Sequence, residues 1–200
     1  MSFLIVVVAV LIPWSWCGPA DMLMCYFQSA SRHRAAHLAR FEVEHIDFSL
    51  CTHYIYASAK INNDTHEIAS SDPQAEEGPT GLYRRFVDGK KTVPSIKTMI
   101  SVGGVENSPV SMFSRLGQNS EHINQFANSV VRFLVLHGFD GLDFDWVYPS
   151  NATDKIAHSN ILQALHRVFS QHTQGKLLLT ATGHAFELAI QSGYDPVEMA

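Results

Sequence analysis

Charge is scarce in this chain. Asp, Glu, Lys and Arg make up 16% of its 200 residues, and 14 Lys and Arg stand against 19 Asp and Glu for a net charge of −5. A nucleic-acid surface needs basic residues clustered on one face. The short basic runs Arg32-His33-Arg34 and Lys90-Lys91 read instead as solvated loop or helix charge, so no nucleic-acid partner is expected. Metal motifs are lacking too. The eleven His residues are scattered, and none has the spacing of a metal-binding HExxH helix. His33 and His37 stand four residues apart without a carboxylate and read as surface residues. Gly103-Gly104 belongs to no GxGxxG, which leaves a nucleotide fold without support. Neither a metal nor another cofactor is expected. Internal repeats and low-complexity tracts are absent as well.

Apolar runs long enough to cross a membrane are also missing. Phe3 to Trp16 is apolar apart from Pro13 and Ser15, but it is too short for a span. Its position at the start of the chain, with small Gly18 and Ala20 at −3 and −1 of a cleavage point, marks residues 1–20 as a signal peptide. It carries no Lys or Arg, which departs from the usual pattern. Residues 21–200 are therefore expected to form a secreted, extracellular chain with no membrane span after signal removal. Cysteine is limited to three residues, and Cys17 leaves with the signal. Cys25 and Cys51 remain as an even pair in an oxidising compartment, which favours a disulfide over two buried thiols. Asn63-Asp64-Thr65 and Asn151-Ala152-Thr153 are glycosylation sequons in polar stretches that read as loops.

What the chain does have is apolar substance, 46% of its residues, enough for one core. Strand-like runs at Met22 to Phe27, Thr52 to Ala59, Ile96 to Val102, Phe139 to Trp146 and Leu177 to Ala181 alternate with helical patterns. Ile123, Phe126, Val130 and Leu134 fall on one helical face. Ala157, Ile161, Leu165 and Val168 mark another helix, with Thr153 or Asp154 as its expected cap. Leu82 to Val87 predicts a short helix, and Asn62 to Pro79 reads as a polar loop. Alternating strands and helices imply a parallel α/β sheet, either a barrel or an open sheet.

The stretch that carries chemistry is Asp140-Gly141-Leu142-Asp143-Phe144-Asp145-Trp146-Val147-Tyr148-Pro149. Side chains alternate along a strand, so Asp143, Asp145 and Val147 share one face, and Phe144 and Trp146 the other. Two carboxylates stacked inside a barrel lose solvation and repel, so at least one should have a raised pKa. That arrangement is seldom kept without a function, although a hydrogen-bonded structural pair or an open-sheet surface would explain the same residues.

The stretch resembles the fourth-strand signature D-G-x-D-x-D-x-E, usually followed by Tyr-Pro, of glycoside hydrolase family 18. This family comprises the animal chitinases and chitinase-like lectins. Ser101-Val102-Gly103-Gly104 is similar to its third-strand S-x-G-G, and CTHYIYA, from Cys51 to Ala57, to its second strand. Cys25-Tyr26-Phe27 and Leu177-Leu178-Leu179-Thr180-Ala181 are similar to its first and fifth. The resemblance implies a TIM (β/α)8-barrel type of fold, here truncated to about the first five β/α units over residues 21–200, with the site at the C-terminal ends of the strands. It implies a Cys25–Cys51 disulfide. It also implies chitin or N-acetylglucosamine-containing glycans as partners, contacted by Tyr26, Ser101, Gly103, Gly104, Asp145 and Tyr148.

The family's hydrolysis is substrate-assisted and uses no protein nucleophile. The last Glu of the signature is the acid, the Asp two residues before it orients the substrate's acetamido group, and a deeper Asp supports that one. Asp140, Asp143 and Asp145 match three of these motif positions, but the acid position is Val147. Valine cannot move a proton, and a lost general acid costs about 10²–10⁴-fold. Catalysis is therefore expected to be lost. Glu106 and Glu187 follow the third and fifth strands, and distance argues against either as a surrogate. Aromatic platforms are reduced as well: the family's usual Trp, Trp and Phe are here Val105, Ala30 and Ser58.

Overall fold

The structure is a computed structural model that describes residues 22–107 and 109–199; the side chain of Glu106 and the expected signal peptide lie outside the described residues. Six strands form one sheet: β1 (Met24–Gln28), β2 (His53–Ile61), β3 (Ile68–Ala69), β4 (Lys97–Gly103), β5 (Gly141–Asp145) and β6 (Leu178–Ala181). The order is β1-β2-β4-β5-β6, every neighbour parallel, with β3 turned back antiparallel on the end of β2. Between them run α1 (Pro73–Glu76), α2 (Leu82–Val87), α3 (Gly89–Thr92), α4 (Gly104–Asn107), α5 (Val110–Gly117), α6 (Ser120–His137), α7 (Ala152–Gln171), α8 (Glu187–Gly193) and α9 (Pro196–Met199). The five expected strands are all present, each end within two residues of its expected place. This is a parallel α/β sheet of the TIM-barrel kind.

The sequence pattern accounts for these elements. In α6, Ile123, Phe126, Val130 and Leu134 are buried on one stripe. Asn119 caps its start, accepting from the Glu121 and His122 amides, and Gly138 ends it in the left-handed region at φ 77°. α7 buries Ala157, Ile161 and Leu165. Its cap is Asn151, not Thr153 or Asp154: Asn151 Oδ1 accepts the Asp154 amide at 3.0 Å, and Asn151 Nδ2 donates back to the Asp154 carboxylate at 2.7 Å. The cap therefore lies two or three residues earlier than the apolar spacing suggested. Both helices, with α5, cover the outer face of the sheet, where Phe113 stacks on Trp146 and meets Phe144 edge-on.

Two further expectations are corrected, the second in part. The polar stretch Asn62 to Pro79 is not one loop, for it holds β3 and α1. Its Glu76 is buried because both carboxylate oxygens are used, one by Tyr56 OH and the other by Tyr83 OH and the Asp72 amide, each at 3.0 Å. One residue of each basic run is tied down, Arg32 to Asp72 at 2.5 Å and Lys90 to Asp140 at 2.8 Å, while Arg34 and Lys91 are exposed. Cys25 and Cys51 are joined, tying β1 to the start of β2. A bridge across 26 residues contributes about 3 kcal/mol in the chain-entropy view. No helix among the described residues is long and apolar enough to cross a membrane.

Candidate functional site

Parallel register sets the inner face of the sheet in rows. Ser101 lies opposite Asp143, and Asp143 opposite Thr180; one row nearer the strand ends, Gly103 lies opposite Asp145. Alternation then sends Phe144 outward into the helix layer, where it is fully buried with Trp146. Asp143 is almost wholly enclosed. It accepts from Thr180 Oγ1 at 2.7 Å and from Tyr26 OH at 3.1 Å. Burial pushes its carboxyl above the usual range, and the neighbouring Asp145 adds to the rise. The hydrogen bonds from Thr180 and Tyr26 oppose it. The same environment raises the Tyr26 phenol, first through burial and then through Asp143. Asp145, less enclosed, accepts from Thr182 Oγ1 at 2.7 Å.

Gly103 is required where it stands. Its φ is +115°, and a Cβ there would lie 2.2 Å from the Asp145 carbonyl oxygen. Its own carbonyl accepts from Ser58 Oγ at 2.8 Å, and Ser58 Oγ is reached in turn by Asn107 Nδ2 at 2.8 Å. The peptide bonds Ala57–Ser58 and Val147–Tyr148 are both cis and both fall at this end of the sheet.

An open cleft of about 460 Å³ occupies the C-terminal ends of β1, β2, β4 and β5. Tyr26, Ser58, Gly103, Gly104, Asp145, Val147 and Tyr148 line it, together with Gln28, Ser29, Ala30, Ala57, Val105 and Asn107. Five expected site residues, Tyr26, Gly103, Gly104, Asp145 and Tyr148, thus converge with Val147. Ser101 and Asp143 lie beneath them and do not face the opening.

Asp140 does not join them. It precedes β5 at the opposite end of the sheet, where its carboxylate accepts from Lys90 Nζ at 2.8 Å, the Thr98 amide at 2.8 Å and Thr98 Oγ1 at 3.2 Å. It is a clamp between strands. Asn63 is exposed in the β2–β3 turn, whereas Asn151 is exposed but engaged as the α7 cap. Glu187 is exposed, accepts from Gln191 on its own helix and does not line the cleft. Sequence reasoning missed Thr180 and Thr182, the hydroxyls that hold the two carboxylates. Their alternate positions after the β6 leucines were the available signal. Among the described residues no three His, Cys, Asp or Glu side chains gather as a metal site.

Residues 22–200 match the family described as Glycosyl hydrolases family 18. The chain belongs to this family. Among its relatives is chitinase-3-like protein 2 of Homo sapiens, 30% identical over 186 residues, which are 92% of this chain and 46% of that protein. Probable chitinase 10 of Drosophila melanogaster is 30% identical over 89% of this chain, but only 8% of its own length is matched. The Group IV chitinase of Ostrinia furnacalis superposes with a TM-score of 0.80 at 29% identity, covering 90% of this chain and 48% of that one. Human YKL-39, described as a pseudo-chitinase with retained chitooligosaccharide binding properties, does so at 0.79 and 30% identity, with the same coverage. The chain spans less than half the length of these family 18 relatives.

Proposed function

We propose that the chain is a secreted chitinase-like protein that binds chitin or N-acetylglucosamine oligosaccharides without hydrolysing them. One observation carries the reading: the residue at the mouth beside Asp145, where the family's acid is expected, is Val147. Among the described side chains Asp145 is the one carboxylate lining the cleft, and its Thr182 bond suits it to fix a substrate amide. Asp143, buried and held by Tyr26 and Thr180, supports it from below. YKL-39 supplies the precedent that oligosaccharide binding outlasts catalysis in this family.

The test compares the secreted chain with its Val147→Glu variant. Retention on chitin beads with elution by soluble chitooligosaccharide, and no released sugar from the wild type, is expected. One positioned acid contributes about 10²–10⁴-fold, so Val147→Glu should hydrolyse above background if the rest of the site is competent. Equal, measurable turnover by both forms would place the acid elsewhere and sink the non-catalytic reading. Secretion without retention would redirect the search to a protein partner.

A further inference from the structure

The cleft has lost most ring surface, yet ring surface reappears beside it. Ala30, Ser58 and Val105 leave Tyr26 and Tyr148 as the aromatic side chains lining it. Tyr148 also meets the His184 ring edge-on, with centroids 4.6 Å apart. His184 in turn lies 5.2 Å from Phe186. These two sit in the segment between β6 and α8, past the strand end that bears Thr182.

Several features set this row apart from scattered surface apolarity, which alone means nothing. The rings are contiguous and begin in the cleft wall. The middle ring is anchored, since His184 Nδ1 accepts the Phe186 amide at 3.0 Å, which leaves the ring proton on Nε2 facing away from that bond. The last ring is 73% exposed although Phe gains much from burial. A face with flat apolar rings and polar edges suits an amphipathic pyranose, whose C–H face stacks on rings while its hydroxyls meet donors such as His184 Nε2–H and Tyr148 OH. An apolar protein partner would be served as well by aliphatic groups and has no use for the polar edges.

We propose that Tyr148, His184 and Phe186 form a second sugar-binding strip, on which a polymeric N-acetylglucosamine chain continues after leaving the cleft between β5 and β6. The strip rests on the cleft being a glycan site, and it makes affinity depend on chain length. A disaccharide fits the cleft alone; a hexasaccharide reaches Phe186.

The experiment is titration calorimetry of the secreted chain with N-acetylglucosamine disaccharide and hexasaccharide. The wild type, Phe186→Ala, Phe186→Leu and Phe186→Tyr are compared. The hexasaccharide should bind Phe186→Ala and Phe186→Leu roughly fivefold to tenfold more weakly than wild type, the loss of one ring contact. Phe186→Tyr should keep its affinity, and the disaccharide should not distinguish the four. Hexasaccharide binding that ignores all three substitutions overturns the strip and leaves the cleft reading intact. A Leu variant as good as wild type overturns it too, because the contact is then merely apolar. Sedimentation that shows wild-type dimers dissolved by Phe186→Ala would assign the face to a second copy of the chain. No binding of either sugar to any form overturns the cleft reading and the strip with it.

Discussion

Acid should loosen this protein through one histidine. His158 on α7 is fully buried, and neither ring nitrogen has a hydrogen-bond partner among the described residues. It is enclosed by rings: Phe144 at 5.5 Å, Trp146 at 6.0 Å and Tyr194 at 5.1 Å between centroids. The carboxylate one turn earlier, Asp154, is already committed to Ser114, Ser150 and Asn151. Burial therefore lowers the imidazole from 6.5 to about 4. The unfolded chain takes up this proton near pH 6.5 and the folded one only near pH 4. Stability falls as pH drops through that window and the loss levels off below it. At about 1.4 kcal/mol per pH unit, the full loss is about 3 kcal/mol, a large part of an ordinary domain's 5–15 kcal/mol. The assay is chemical denaturation of wild type and His158→Leu at several pH values from 7.5 to 3.5. Other titrating groups act alike in both, so the stability difference isolates His158. It should move toward the variant by about 3 kcal/mol between pH 7 and pH 4. Parallel curves would show that the ring finds a proton partner in solution, and the reasoning would fail.

The two outer carboxylates of the strand motif should separate by assay. Asp140→Ala is expected to cost about 2–3 kcal/mol, seen as a lower denaturation midpoint, because it strands Lys90 and the Thr98 amide. Chitin retention per folded molecule should stay unchanged. Asp145→Asn should do the reverse, with retention lost and the midpoint nearly kept. Gly103→Ala sets a Cβ against the Asp145 carbonyl at positive φ and should cost about 3 kcal/mol or prevent folding, read from secreted yield. Replacing Cys25 and Cys51 by Ser should remove about 3 kcal/mol, measured by denaturation of the two forms side by side.

Much of this was legible before any coordinates. The places of five strands followed from apolar runs of β length, and the inward set Asp143, Asp145 and Val147 from simple alternation. What escaped was whatever depends on partners distant in sequence. Glu76 looks like loop charge until Tyr56 and Tyr83 come round to meet it. Asp140 looks like a third member of an acidic site until Lys90, fifty residues earlier, fixes it to the far end. Nothing in the run of Thr180 in β6 and Thr182 just past it marks them as partners of the carboxylates, and only the sheet brings them there. The Asn151 cap was missed because apolar periodicity marks where a helix buries its face, which here begins a turn after its first hydrogen bond.

The division of labour around β5 bears on how such motifs are read. Within six residues, Asp140 before the strand braces the architecture and Asp145 at its end lines the cleft. On the proposed reading, Val147 can occupy the acid position while every brace stays in place. The braces Asp140 and Asp143 give the motif a role in folding that does not depend on hydrolysis. In this chain, then, most of the motif answers for shape, and turnover is a question for the one position that Val147 occupies.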